Sequence, residues 1–220
     1  RARAGAAALL LGAGLLGGCA MLPPGVERTP SQAVPASAQE ALGRLAAASV
    51  ADAGGSAFRP LPLSSYAMDA RLTLVRQAQR TLDVQYYLLE NDLTGHTLAR
   101  ALRDAAARGV RVRLLVDDLY TADGEQMLLG LATHPNVEVR LFNPFPSGRW
   151  SALTRWLFAL GDFSRINHRM HNKMLIADGA FAIAGGRNIA DEYFFTSQGG
   201  NFIDFDLLVA GDALPRMQAI

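Results

Sequence analysis

Three runs rich in β-forming residues, Leu82–Leu89, Val110–Val116 and Val137–Phe142, alternate with stretches of helical periodicity, and this alternation narrows the folds open to the chain. Strands separated by helices of this length build a parallel or mixed sheet covered by helices, an α/β arrangement. The first helical stretch is Ser64–Arg80, with Ser64 and Ser65 as candidate caps and Leu72, Val75 and Ala78 recurring at helical spacing. Thr94–Arg108 places Leu98, Ala101, Leu102 and Ala105 on one face and is closed by Gly109, and Glu125–Thr133 forms a third helix. Two short strands, His171–Ala177 and Ala180–Ala184, meet at Asp178-Gly179, and a last strand-like run spans Ile203–Val209. Half of the 220 residues are hydrophobic, enough to fill the core of one such domain.

The two ends read differently from the middle. Arg1 and Arg3 precede an apolar run, Ala6–Leu16, and then Leu16-Gly17-Gly18-Cys19, the layout of a secretory signal over residues 1–19. The run is shorter than the ~20 residues of a membrane-spanning helix. Cys19 is the sole cysteine, so no internal disulfide forms. From 20 to 62 the composition turns to Pro, Ala, Ser and Gly, with Pro23-Pro24, Pro30 and Pro35, which predicts a flexible tether. The domain proper is then 63–220. The chain begins with arginine and stops soon after its last strand, so a longer natural protein, truncated at its C-terminus, is expected.

Chemistry gathers around one residue. Lys173 is the only lysine among 21 basic residues, and it lies in His171-Asn172-Lys173-Met174-Leu175-Ile176-Ala177-Asp178. An ammonium is a compact point charge that lies against a phosphoryl oxygen, whereas a guanidinium is a wide planar fork. On a strand, His171 and Lys173 share a face with Cα atoms ~6.6 Å apart, at ~3.3 Å per residue. Both side chains can then converge on one phosphate, the imidazole as nucleophile and the ammonium as stabiliser of negative charge. Asp178 stands at the strand-to-turn junction, where a carboxylate holds backbone or a neighbouring donor. Gly185 and Gly186 permit close backbone approach, and Asn188 offers an amide to a phosphate or to the histidine loop.

The order His-x-Lys-x4-Asp-x6-Gly-Gly-x-Asn resembles the signature of the phospholipase D superfamily. With Tyr86-Tyr87, Val116-Asp117-Asp118 and Arg165–His171, the stretch from about Leu82 to Gly211 looks most like bacterial lipoproteins of the cardiolipin synthase type. The resemblance implies a phospholipase D-like mixed sheet flanked by helices, one of two catalytic domains. It also implies an enzyme in which one motif histidine forms a phosphohistidine and a second motif's histidine protonates the leaving alcohol, with no metal or cofactor. His171, Lys173 and Asp178 are then the catalytic set. Asp204 and Asp206 become candidates to orient the imidazole, with Asp206 preferred, and Leu-Gly-Gly-Cys resembles a box in which Cys19 is lipidated. A phosphatidyltransferase forming cardiolipin at a membrane surface of the bacterial envelope, with phospholipid hydrolysis as a side reaction, is the leading expectation. A single-motif nuclease acting as a homodimer and a non-catalytic envelope lipoprotein are the alternatives. The formal net charge of +1 offers no overall basic field for a polyanion, so nucleic acid is not expected as a partner.

The chain carries one copy of the motif. His96 and His134 read as surface or capping residues, and His168 lacks a lysine two positions on. A second motif is therefore expected from the missing C-terminal half or from a second copy. Asp117 and Asp118 read as loop-ordering or rim residues, and Asp83, Glu90 and Asp92 as solvated charges. Trp150–Leu160 is apolar and aromatic between Arg149 and Arg165; it reads equally as a half-buried helix or as a segment resting on lipid.

Overall fold

The computed structural model describes residues 30–220 apart from 53, 146 and 150. The signal segment, Cys19 and the start of the tether lie outside the described residues. The elements run α1 (Ala41–Ser49), β1 (Ser56–Leu61), α2 (Ser64–Gln77), β2 (Thr81–Tyr86), α3 (Leu93–Ala107), β3 (Arg111–Asp117), α4 (Glu125–Ala132), β4 (Val137–Phe142), α5 (Ala152–Ala159), α6 (Phe163–Ile166), β5 (Lys173–Ala177), β6 (Phe181–Gly185), β7 (Asp206–Gly211) and α7 (Leu214–Gln218). The strands form one sheet in the order β1-β7-β6-β5-β2-β3-β4. Its β2–β3–β4 half is parallel and the remainder antiparallel, so the sheet is mixed.

Alternation along the strands decides which face is dry. Leu82, Val84 and Tyr86 on β2, Val112, Leu114 and Val116 on β3, and Leu175 and Ala177 on β5 point into one buried cluster. Leu42, Val75, Leu98, Leu102, Leu128 and Leu131 of α1 to α4 close over it. At about 1.5–3 kcal/mol for each fully buried large aliphatic side chain, this layer is the main stabilising term. The second face carries Met174, Ile176, Ala182 and Val209, packed under Leu214 and Met217 of the α7 region. It also carries Asp83, expected as a solvated charge but in fact nearly buried and paired with Arg113 at 2.6 Å. Among the described residues no helix is long and apolar enough to cross a membrane.

The expected tether from 20 to 62 is corrected for its described part. β1 pairs with β7 along its full length, as the sheet's edge strand. That place tolerates Pro60, because an edge strand need not donate every N–H to a neighbour. Helix α1 buries Leu42 and Ala46, and the chain before it is held by side chains, with Arg113 donating to Ser31 O and Arg111 to Gln32 O.

Helix α2 ends at Gln77, short of Arg80, for a visible reason. The amides of Gln79, Arg80 and Thr81 all donate to the Asp178 carboxylate at 2.8–2.9 Å, so the chain leaves the helix to reach it. No side chain caps its start: Ser64 is already helical, and Leu63 precedes it. Helix α3 is capped by Asp92, which accepts from Gly95 N and also from Asp191 N, so Asp92 too is structural rather than a free charge. Asp178 and Gly179 both take positive φ, 51° and 62°, at the centre of a turn in which Ala180 N donates to Ala177 O at 2.9 Å, and three residues separate the paired Ala177 and Phe181 of the β5–β6 hairpin.

Candidate active site

The C-terminal ends of β2 and β3 and the start of β5 meet where the sheet passes from parallel to antiparallel. Tyr87 follows β2, Asp117 ends β3, and His171 stands exposed just ahead of β5. The strand pairing continues one step past β5, with Tyr87 N donating to Asn172 O at 2.9 Å. Lys173 lies opposite Tyr86 and faces the helix-covered side, yet its long stem carries the ammonium back to the strand end. There Nζ donates to the His171 carbonyl at 3.0 Å.

Tyr87 joins the two groups. Its ring meets the His171 imidazole edge-on, with centroids 4.7 Å apart, and the Lys173 ammonium lies 5.0 Å from the same ring centre. A cation at that distance is attracted by the ring's negative face. Tyr120 packs edge-on against Tyr87 as well, with centroids 5.4 Å apart. Burial, reinforced by a hydrogen bond with Tyr120, raises the Tyr87 phenol above its ordinary pKa, so it stays protonated. Burial lowers the Lys173 pKa, and the nearby Asp204 carboxylate acts in the opposite direction.

The backbone ahead of His171 is fixed from below. Asp117 is fully buried; it accepts from Met170 N at 2.8 Å, from Arg169 Nη1 at 3.0 Å and from Leu119 N at 2.9 Å. Asp118 is equally buried and accepts from Phe145 N and from Arg149 and Arg155. Both aspartates therefore order loops, and Asp117 ties the histidine segment to the end of β3.

The residues expected to cluster do so only in part. His171 and Lys173 come together. Asp178 stands apart from them and holds backbone, as its strand-to-turn position suggests. It lies at the far end of β5, where its carboxylate takes the three amides that follow α2. Asp206, preferred as the imidazole's partner, is engaged by two guanidinium groups. Asp206 is fully buried and accepts from Arg71 and Arg187, each at 3.1 Å. Asp204 is the aspartate that acts on Lys173.

Gly185 and Gly186 explain that division. A methyl group on Gly185 would overlap the Asp206 carboxylate, and one on Gly186 would overlap that of Asp204. Close approach is thus needed here, and two carboxylates make it. Asn188 is buried and gives its amide N–H to the Tyr193 hydroxyl at 2.9 Å, while its Oδ1 has no hydrogen-bond partner among the described residues. Sequence reading missed Tyr87 as a contact. Its signal was the Tyr86-Tyr87 pair at a strand end, where alternation sends the first ring into the core and the second to the site.

The family described as "Cardiolipin synthase, PLD-like domain" matches residues 72–205, which include Tyr87, His171, Lys173, Asn188 and Asp204. The chain belongs to the PLD-like domain family of cardiolipin synthases. Within that family, cardiolipin synthase C of Escherichia coli (strain K12) is 47% identical over 152 residues, covering 69% of this chain and 31% of the relative. A cardiolipin synthase of Oceanobacillus iheyensis is 32% identical over 151 residues, covering 68% of this chain and 29% of the relative. The chain therefore spans about a third of the length of these relatives. Among solved structures, NucT from Helicobacter pylori aligns with a TM-score of 0.53 at 19% identity, over 75% of this chain and 91% of NucT. Phosphatidylserine synthase of Haemophilus influenzae aligns with the same TM-score at 14% identity, over 74% of this chain and 35% of that protein. At such identities the likeness is one of fold: the mixed α/β sheet of PLD-like proteins.

Proposed function

We propose that this domain supplies one half of a phosphodiester-exchange site, with His171 as nucleophile and Lys173 as the group that neutralises the phosphoryl oxygens. The observation that carries this reading is that imidazole and ammonium share one aromatic neighbour, Tyr87, at an exposed strand end. In the reaction an imidazole nitrogen attacks phosphorus, the bond to the leaving alcohol breaks, and a proton from a second imidazole goes to that alcohol. An acceptor hydroxyl then attacks the phosphohistidine and gives its proton to the second imidazole, the P–N bond breaks, and both imidazoles return to their starting states. The second imidazole comes from a further motif in the longer protein or from a second copy of this domain. The identity to cardiolipin synthases makes a phosphatidyl group the favoured cargo and a lipid alcohol the favoured acceptor. Acylation of Cys19 would hold the domain at the envelope membrane.

Phosphatidylglycerol vesicles incubated with the full-length protein should yield cardiolipin and glycerol. His171→Ala should abolish that product, with a loss on the order of 10⁶-fold, as for removal of a nucleophile elsewhere. Degradation of plasmid DNA without any lipid product would move the assignment to a nuclease.

A further inference from the structure

Helix α5 is built inside out. Arg155 is 1% exposed, while Leu153 is 71% and Leu157 56% exposed, with Trp156 half out beside them. Leu153, Trp156 and Leu157 stand at i, i+3 and i+4, a continuous apolar stripe of the kind that a surface helix normally turns toward the core. Here an ion cluster sets the helix's rotation the other way. Arg155 donates to Glu125 Oε2 at 2.8 Å, to Thr121 Oγ1 at 2.8 Å and to Asp118, and Arg149 bridges the same two carboxylates. Turning the stripe inward would pull the guanidinium out of this cluster and leave Asp118 buried with less compensation, a costly exchange.

The stripe adjoins the site. Trp156 packs on Phe145, which lies under Arg169, the guanidinium bound to Asp117. Across the site, Asp204, which acts on Lys173, is flanked by exposed Phe202, Phe205 and Ile203, the last 92% exposed. Exposed apolar groups thus lie on the segments that precede and follow the motif, with Arg165, half-exposed and paired with Asp162, on the segment between α5 and β5. An apolar stripe near a half-exposed guanidinium fits a surface whose interior is hydrocarbon and whose outer layer carries phosphates.

We propose that α5, together with the 202–205 segment, docks this domain onto an anionic phospholipid bilayer, so that headgroup phosphates enter beside Lys173. The proposal rests on the phosphatidyl-transfer reading of the site and names the surface that presents the substrate. Trp156 lies on α5 itself, so in a Trp150→Phe background intrinsic emission reads the environment of that helix. The full chain is mixed with phosphatidylglycerol vesicles containing lipids brominated near the headgroup end of the acyl chains. Emission is expected to shift to shorter wavelength and to be quenched, with weaker quenching in phosphatidylcholine. Leu153→Asp/Leu157→Asp, at two exposed positions, is expected to keep the far-UV circular dichroism and lose the quenching. Absence of quenching from a protein that turns over a water-soluble short-chain phosphatidylglycerol overturns docking and assigns the stripe to a protein partner. Quenching, with no turnover of the short-chain lipid by the longer protein that supplies the second histidine, leaves docking in place and removes the phosphatidyl-transfer reading instead.

Discussion

Lys173 must do two things that conflict: lie buried beside an exposed histidine and remain charged. Burial lowers its pKa, and Asp204 counters part of that shift. The sign is definite. With the pKa below the usual lysine value, the ammonium loses its proton at a lower pH than an exposed lysine, so the alkaline limb of the rate profile moves down. Asp204→Asn removes the opposing charge and should move that limb lower still, read from kcat/KM against pH. Lys173→Arg keeps the charge, but the guanidinium does not reproduce the compact contact with the His171 carbonyl and Tyr87. A loss of about 10²-fold or more is expected, the scale of removing one transition-state donor. Tyr87→Leu removes the ring that holds both groups; a cation–π contact of about 0.5–2 kcal/mol corresponds to a rate loss of roughly 3- to 30-fold. Tyr87→Phe keeps the ring and should stay within about threefold of wild type, a split that separates a platform from an acid. The motif itself was legible in the sequence because His171 and Lys173 are two residues apart on one chain. Tyr87 was harder to read as a contact, because strand pairing across many residues brings it to the site.

Among the elements, β5 is anchored at one end by structure and at the other by chemistry. Asp178 gives its carboxylate to three amides between α2 and β2, and this fixes the register of the strand that presents Lys173. Asp178→Asn keeps the shape but loses the charge and replaces one acceptor oxygen with a donor, so a destabilisation of about 2–4 kcal/mol is expected in denaturant titration. The folded fraction should retain most of its kcat, whereas a residue acting on the substrate would lose it. The hairpin turn at Asp178-Gly179 was readable from the sequence, since positive φ at two successive positions selects that pair. The extent of α2 was not, because it is set by an acceptor about a hundred residues away.

For the whole molecule, the instructive difference is the segment before residue 63. Proline, alanine and glycine suggested a chain with nothing to bury, yet β1 completes the sheet by backbone pairing with β7, which composition does not report. Deleting residues 30–62 should expose the edge of β7 and the α1 side of the core; a lower thermal midpoint and a tendency to aggregate are the expected results. The α/β class and the mixed sheet were legible because helical and strand periodicities alternate cleanly from residue 64 to residue 142. The outward stripe of α5 was not, because Arg155 is buried only once Asp118, Glu125 and Thr121 converge on it.

Trapping the covalent adduct bears most directly on His171. Rapid acid-free quenching of the full-length protein with a phosphorus-labelled phosphatidyl donor, followed by proteolysis and mass spectrometry, locates the labelled residue. The expected product is an acid-labile phosphoramidate on the peptide that contains His171, absent from His171→Ala. Label found only on a different residue, or normal turnover by His171→Ala, would contradict the assignment of this imidazole as the nucleophile.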